Sequence, residues 1–311
     1  MKKTCLAILF FIIIWCFTGC TNSSDKYVQI DIPYQLKDIS MYDTDKGWAL
    51  TTENEILFTD NGIENFAPVR KFDGISAAGD YFVDVCFVDE KNVYAAYFSE
   101  NGDLMVEYTR DGGKNWQQTP VKWEDDSGDR ILEMGGSAYI NFSDTENGYL
   151  LYCSTPAAGL MIKLLFCTTN GGESFSYERE LSEISGYPQG IASSNGKYYI
   201  AVTPRAEEHY LYVREENTGK WISEEIIPLP KGIRYIDGFS PVFDMKDKRN
   251  GIMVLKAVGD DIRYLLFVTE DEGESWVQKG ELSLDSVKNY SCIDGKHFYF
   301  INDTGNLYGY L

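Results

Sequence analysis

The segment Thr109-Arg110-Asp111-Gly112-Gly113-Lys114-Asn115-Trp116 decides the fold, because it returns along the chain with altered spelling. Thr168-Thr169-Asn170-Gly171-Gly172-Glu173-Ser174-Phe175 and Thr269-Glu270-Asp271-Glu272-Gly273-Glu274-Ser275-Trp276 are close copies. Thr59-Asp60-Asn61-Gly62-Ile63-Glu64-Asn65-Phe66 is a weaker fourth, and the run from Arg214 to Trp221 a degenerate fifth. A phrase recurring about every 50 residues means that one supersecondary unit is repeated. Each copy also has the chemistry of a tight reversal. Gly113, Gly172 and Gly273 supply backbone angles that cost other residues about 1–2 kcal/mol. Asp60, Asp111, Asn170 and Asp271 are expected to accept hydrogen bonds from turn amides. Trp116, Phe175 and Trp276 are expected to pack beneath.

A second element precedes each phrase: an apolar strand, a polar turn, then Gly and an aromatic or aliphatic residue. The residue after that turn runs Trp48, Tyr94, Tyr149, Tyr198, Ile252 and Phe298, at intervals of 46, 55, 49, 54 and 46 residues. Five intervals delimit six units. Within each unit, short runs alternate apolar and polar residues between Gly, Asn and Asp, and no long stretch has a 3.6-residue period. The chain therefore reads as all-β, with four short strands in each repeat, which is the pattern of a β-propeller blade. The last unit supplies only three strands, and residues 26–32 offer the fourth. We expect a six-bladed propeller whose N-terminal strand completes the last blade and removes the open sheet edges; a seven-bladed ring is the alternative.

The repeated phrase matches the Asp-box, or BNR repeat, written roughly Ser/Thr-x-Asp-x-Gly-x-x-Trp. The strand openings from Met41 to Trp48 and from Phe142 to Tyr149 resemble those of the photosystem II assembly factor family. That resemblance covers essentially all of residues 26–311. It implies a non-enzymatic scaffold that holds a protein partner, although that family is usually seven-bladed. Asp-box propellers also include sialidases, and this likeness would imply three arginines clamping a carboxylate, the first in an Arg-Ile-Pro motif. No arginine lies between Cys20 and Asp60, and Arg-Ile-Pro is absent. A sialidase-like glycoside hydrolase is thus the alternative function rather than the first.

Residues 1–19 read as a bacterial lipoprotein signal peptide. Lys2 and Lys3 precede an apolar run from Cys5 to Phe17, too short for the roughly 20 residues of a membrane span. Phe17-Thr18-Gly19-Cys20 resembles a lipobox, with Phe where Leu is usual. Cys20 is the expected lipidation site, residues 20–25 a short tether, and the destination the extracytoplasmic face of a bacterial envelope. Without Lys2 and Lys3 the chain has 26 basic residues against 48 acidic, a net charge of −22. Nucleic acid is therefore not an expected partner.

With His209 and His297 the only histidines, Ser-His-Asp and zinc-histidine chemistry have too few parts. The run Glu124-Asp125-Asp126-Ser127-Gly128-Asp129 could ligate Ca²⁺ but lacks the spacing of a known loop, so no cofactor is expected. Cys86, Cys153, Cys167 and Cys292 sit in apolar runs as small hydrophobes, with a Cys153–Cys167 bridge the less favoured option. Recognition of a protein or carbohydrate is expected at the loops joining blades and at the second-to-third-strand hairpins, whose tips lie near Pro156 and Glu207. The candidate contacts there are Tyr81, Arg130, Tyr187, Arg205, Tyr210, Arg234, Tyr235 and Arg263.

Overall fold

The structure, a computed structural model, describes residues 27–75, 83–123, 136–157, 160–204, 210–214, 219–223, 233, 235–293 and 295–310. Every regular element among them is a β-strand. The strands form six antiparallel blades in a ring, a six-bladed β-propeller. After β1 (Tyr27–Ile30), blade one comprises β2 (Leu36–Met41), β3 (Gly47–Thr51), β4 (Glu55–Thr59) and β5 (Ala67–Lys71). Blade two is β6 (Asp84–Phe87), β7 (Val93–Phe98), β8 (Leu104–Thr109) and β9 (Gln117–Pro120). Blade three is β10 (Gly136–Phe142), β11 (Gly148–Ser154), β12 (Lys163–Thr168) and β13 (Ser176–Glu180). Blade four is β14 (Tyr187–Ser194), β15 (Lys197–Thr203), β16 (Leu211–Arg214) and β17 (Trp221–Ser223). In blade five, β18 (Tyr235–Gly238) and β19 (Val242–Phe243) share the inner edge of β20 (Gly251–Val258), followed by β21 (Ile262–Thr269) and β22 (Val277–Leu282). Blade six is β23 (Asn289–Cys292), β24 (Phe298–Ile301) and β25 (Leu307–Tyr310), and β1 pairs with β25 from Tyr27↔Tyr310 to Ile30↔Leu307. The N-terminal strand seals the ring as expected.

The core is six layers, one between each pair of neighbouring blades. Strand alternation produces this. On β3, Trp48 and Leu50 face blade two while Ala49 faces blade six. The second strand of a blade is apolar on both sides for the same reason, and every residue of β3 and β7 is buried. Between blades one and two, Glu107 is buried, yet Arg70 reaches it at 2.6 Å and the Tyr97 hydroxyl donates to it at 3.0 Å.

The repeated phrase ties blades one, two, three and five together at one end, here called the lower end, while residues 215–218 of the degenerate copy lie outside the described residues. Thr109 Oγ1 donates to Asp111 Oδ1 at 2.9 Å and accepts from the Gly113 amide at 3.0 Å. Asp111 Oδ1 also accepts from the Asn115 amide at 2.9 Å. Thr168, Asn170, Gly172 and Ser174 repeat these bonds, as do Thr269, Asp271, Gly273 and Ser275. Gly113, Gly172 and Gly273 all have φ of +84°, the left-handed region where glycine is favoured. Trp276 is buried, whereas Trp116 and Phe175 are half-buried. The first copy differs from expectation. Asp60 is exposed in the place of Arg110, the acceptor's place holds Asn61, and the turn closes through Thr59 Oγ1 donating to the Gly62 carbonyl at 2.7 Å.

The turns between first and second strands lie at the same end. Asp43, Asp89, Asp144 and Asp244 each accept amide hydrogen bonds two and three residues on. The two sets of turns join through Gly62, Gly112, Gly171 and Glu272, whose amides donate to carbonyls of Asp45, Lys91, Glu146 and Arg249. Aromatic side chains then link blade to blade. Trp48 Nε1 donates to the Asp89 carbonyl at 3.1 Å, the Tyr94 hydroxyl to Thr145 at 3.0 Å, and the Tyr199 hydroxyl to Glu272 at 2.9 Å.

The cysteines are free thiols. Cys153 lies opposite Lys163 and Cys167 opposite Tyr149, so the register of β11 on β12 separates the two by four residue positions and precludes the bridge.

Candidate functional site

The inner strands of all six blades surround a central channel with a cavity of about 210 Å³. Its lower end is spanned by the turn after β19. From blade five, Met245 accepts a hydrogen bond from Ser40 Oγ at 2.9 Å, and Lys246 Nζ reaches Asp43 Oδ2 at 2.8 Å, both on blade one beyond blade six. The Lys248 carbonyl accepts from Ser194 Oγ of blade four at 2.9 Å. The upper rim carries exposed Gln189 and Lys288. The cavity therefore faces the end opposite the repeated turns.

Its wall is polar at the upper ends of the inner strands. Asp38 of β2 and Asp84 of β6 lie on adjacent blades. Both keep some surface on the channel while protein atoms pack densely around them on every other side. Burial pushes Asp38 up to about 7, and the neighbouring Asp84 charge adds to it. Burial likewise pushes Asp84 up to about 7, against the amide of Ile140, which donates to Asp84 Oδ2 at 2.7 Å. Lys37 donates its ammonium to the Val83 carbonyl at 2.9 Å, and burial brings its pKa down to about 8. Asn289 Nδ2 donates to the Lys37 carbonyl at 3.3 Å. Asn141 Oδ1 and Ser240 Oγ are enclosed with no hydrogen-bond partner.

The inner strand of blade five is interrupted in this wall by Phe239-Ser240-Pro241. Pro241 has no amide to offer β20. Tyr290 of blade six fills the gap, its hydroxyl accepting from the Val254 amide at 3.1 Å and donating to the Ser240 carbonyl at 2.7 Å.

The residues singled out by sequence scatter. Tyr187 and Tyr235 open the inner strands β14 and β18 at the upper end, and Tyr187 is half-buried. Tyr210, just before β16, is instead buried in the layer between blades four and five, beside Leu211 of the same layer. Arg263 lies on β21, two strands out from the channel, and its guanidinium is held by Glu281 at 3.1 Å. Tyr81, Arg130, Arg205, Arg234, the 124–129 run, Cys20 and the hairpin tip at Glu207 lie outside the described residues. Sequence reasoning missed Asp38, Asp84 and Asn289. Their signal was present in β2, β6 and β23, each of which carries a charged or amide residue at or near its start.

Among the described residues, no group of three or more His, Cys, Asp or Glu is placed to hold a metal ion. No protein-family model matches the chain, and no curated protein matches it in sequence. Solved structures do match in fold. YCF48 bound to D1 peptide is 15% identical with a TM-score of 0.53, over 92% of this chain and 96% of that one. YCF48 from Cyanidioschyzon merolae is 12% identical with a TM-score of 0.54, over 91% of this chain and 98% of that one. The GH74 xyloglucanase from Xanthomonas campestris is 12% identical with a TM-score of 0.52, over 91% of this chain and 53% of that one. At these identities the likeness is one of fold: the chain is a propeller resembling these proteins.

Proposed function

We propose that this protein is a binding propeller on the outer face of a bacterial membrane, tethered through a lipid on Cys20, that holds a protein partner at its upper face. The observation that carries the reading is the polar channel spanned at its lower end and facing the other way. Propellers of this fold include YCF48, seen with a D1 peptide bound, which supports a polypeptide rather than a carbohydrate as the partner.

The polarity of β1 supports the tether. β1 is antiparallel to β25, so Tyr27 lies beside Tyr310 at the lower end. Residues 20–25, at most ~3.5 Å each, would hold that end within about 20 Å of the bilayer. The channel would then face away from the membrane, toward a partner.

A hydrolase reading is weaker. A glycosidase divides acid and base between two carboxyls whose environments push their pKa values apart. Asp38 and Asp84 are both pushed to about 7.

Two measurements test the proposal. Cys20→Ser is expected to move the protein from the membrane fraction to the soluble extracytoplasmic fraction; retention in the membrane would contradict the tether. A photo-crosslinking residue at Gln189 is expected to capture a polypeptide in living cells, while one at exposed Val277 on the outer strand β22 does not. Equal capture at both, or capture of glycan alone, would contradict the proposed face and partner.

A further inference from the structure

Resting on that reading, we infer that the channel is a receptor for one positively charged, donor-rich group, the ammonium or guanidinium of a lysine or arginine side chain on the partner. The cavity of about 210 Å³ is far larger than the ~10–15 Å³ that admits one water. It is built by all six blades and spanned at its lower end, so it takes a single projecting group from above and not a passing chain.

Behind the surface of this wall, Asn141 Oδ1 and Ser240 Oγ have no hydrogen-bond partner among the described residues, although buried polar atoms are ordinarily paired. Asp38 and Asp84 add carboxyl oxygens from neighbouring strands. An ammonium brings three donors and a guanidinium five.

Among the described residues, no cation is ion-paired with either carboxyl. Asp38 is faced by Asp84 from β6, by Lys37 on its own strand and by Lys288 and Asn289 from blade six. Among the described residues, Lys37 is the cation whose charge acts on both carboxyls, and its ammonium is committed to the Val83 carbonyl. Lys288 is exposed at the rim, and Lys248 enters the channel from the lower end, where its charge acts on Cys86. Burial holds both carboxyls up near 7, partly protonated around neutral pH. An incoming cation would favour their ionised forms and expel a proton. At long range the chain's net charge of −20 draws basic partners and repels acidic ones.

The test is calorimetric titration of the full chain in detergent with the blocked tripeptide acetyl-Ala-Lys-Ala-amide. Norleucine, acetyl-lysine and glutamate versions serve as controls. The lysine peptide is expected to bind at pH 8, to release protons when it binds at pH 7 (read by repeating the titration in two buffers of different ionisation enthalpy), and to bind about tenfold more weakly at pH 5, where both carboxyls are protonated. Asp84→Asn, which keeps the shape of the wall, is expected to weaken it about tenfold at pH 8 and abolish most of the pH dependence. The inference is overturned by any of three results: a norleucine or acetyl-lysine peptide that binds as well, a glutamate peptide that binds better, or no binding of the lysine peptide at all. In each case capture at Gln189 would still report whether the upper face holds a partner, so the two readings fail separately.

Discussion

Replacing Trp48 with alanine is expected to cost about 4–6 kcal/mol. The side chain is fully buried, lies 4.5 Å from the Phe58 ring and stacks on Phe87 of the next blade at 6.1 Å. Truncating a buried tryptophan removes its transfer free energy and leaves a cavity, together about 3–5 kcal/mol. Its Nε1 also donates to the Asp89 carbonyl, a bond worth about 1 kcal/mol that leaves an acceptor of the neighbouring turn unpaired when lost. Trp48→Phe keeps most of the apolar volume and loses the donor, and is expected to cost roughly 1–2 kcal/mol. Denaturant unfolding monitored by fluorescence and circular dichroism gives both values. A cost below about 1.5 kcal/mol for alanine would mean that the layer between blades one and two is not packed as described.

The second large effect is a stabilisation that depends on pH. Folding raises Asp38 and Asp84 from 3.8 to about 7, so the folded chain holds these protons more tightly than the unfolded chain. Their contribution to stability is complete below about pH 4 and is lost as pH rises through 7. Lys37 behaves oppositely. Its pKa falls from 10.5 to about 8, so its penalty is complete below pH 8 and lifts between there and 10.5. Asp84→Asn removes one ionisation and retains an oxygen for the Ile140 amide. Each tenfold difference in proton affinity between the folded and unfolded chain is worth about 1.4 kcal/mol, and allowing for channel water the variant should gain roughly 2–4 kcal/mol over the parent at pH 8. At pH 4 the two should be nearly equal. A gain that is the same at both pH values would assign the effect to packing and remove the carboxyl from the titration.

That two carboxyls persist where they weaken the fold fits a site kept for function, since natural chains break local rules mainly where activity requires it. Glu107 is the contrast. It is buried more fully, but Arg70 and Tyr97 satisfy it, and it belongs to the structural layer between blades one and two.

The ring was legible because it is written locally. A turn needs its Thr, Asp and Gly at fixed offsets, and the closing strand shows itself as the one missing from a unit that stops early. Less was legible wherever the outcome depends on which residues meet across the axis. Asp38 and Asp84 are 46 residues apart, and only the angular step from one blade to the next brings them to one wall. Tyr290 mending the break at Pro241 is likewise a contact between blades. Tyr210 shows the limit on aromatic residues near hairpin tips: its place beside a strand leaves open whether it meets solvent or the neighbouring blade, and it packs into the layer with blade five. Cys153 and Cys167 show the same for register, which the hairpin's length alone leaves open.

Everything said of the channel depends on closure of blade six by the first strand. Gln29 lies opposite Tyr308 in that pairing. In Gln29→Cys combined with Tyr308→Cys, mild oxidation is expected to form a disulfide, and because it closes a loop of more than 100 residues the oxidised protein should be more stable than the reduced one, up to a ceiling of about 5 kcal/mol. Thr119→Cys on β9 of blade two, paired with the same Gln29→Cys, should remain reduced. A Gln29–Tyr308 pair that stays reduced, or whose oxidation leaves the melting transition unchanged, would contradict the closed six-bladed ring.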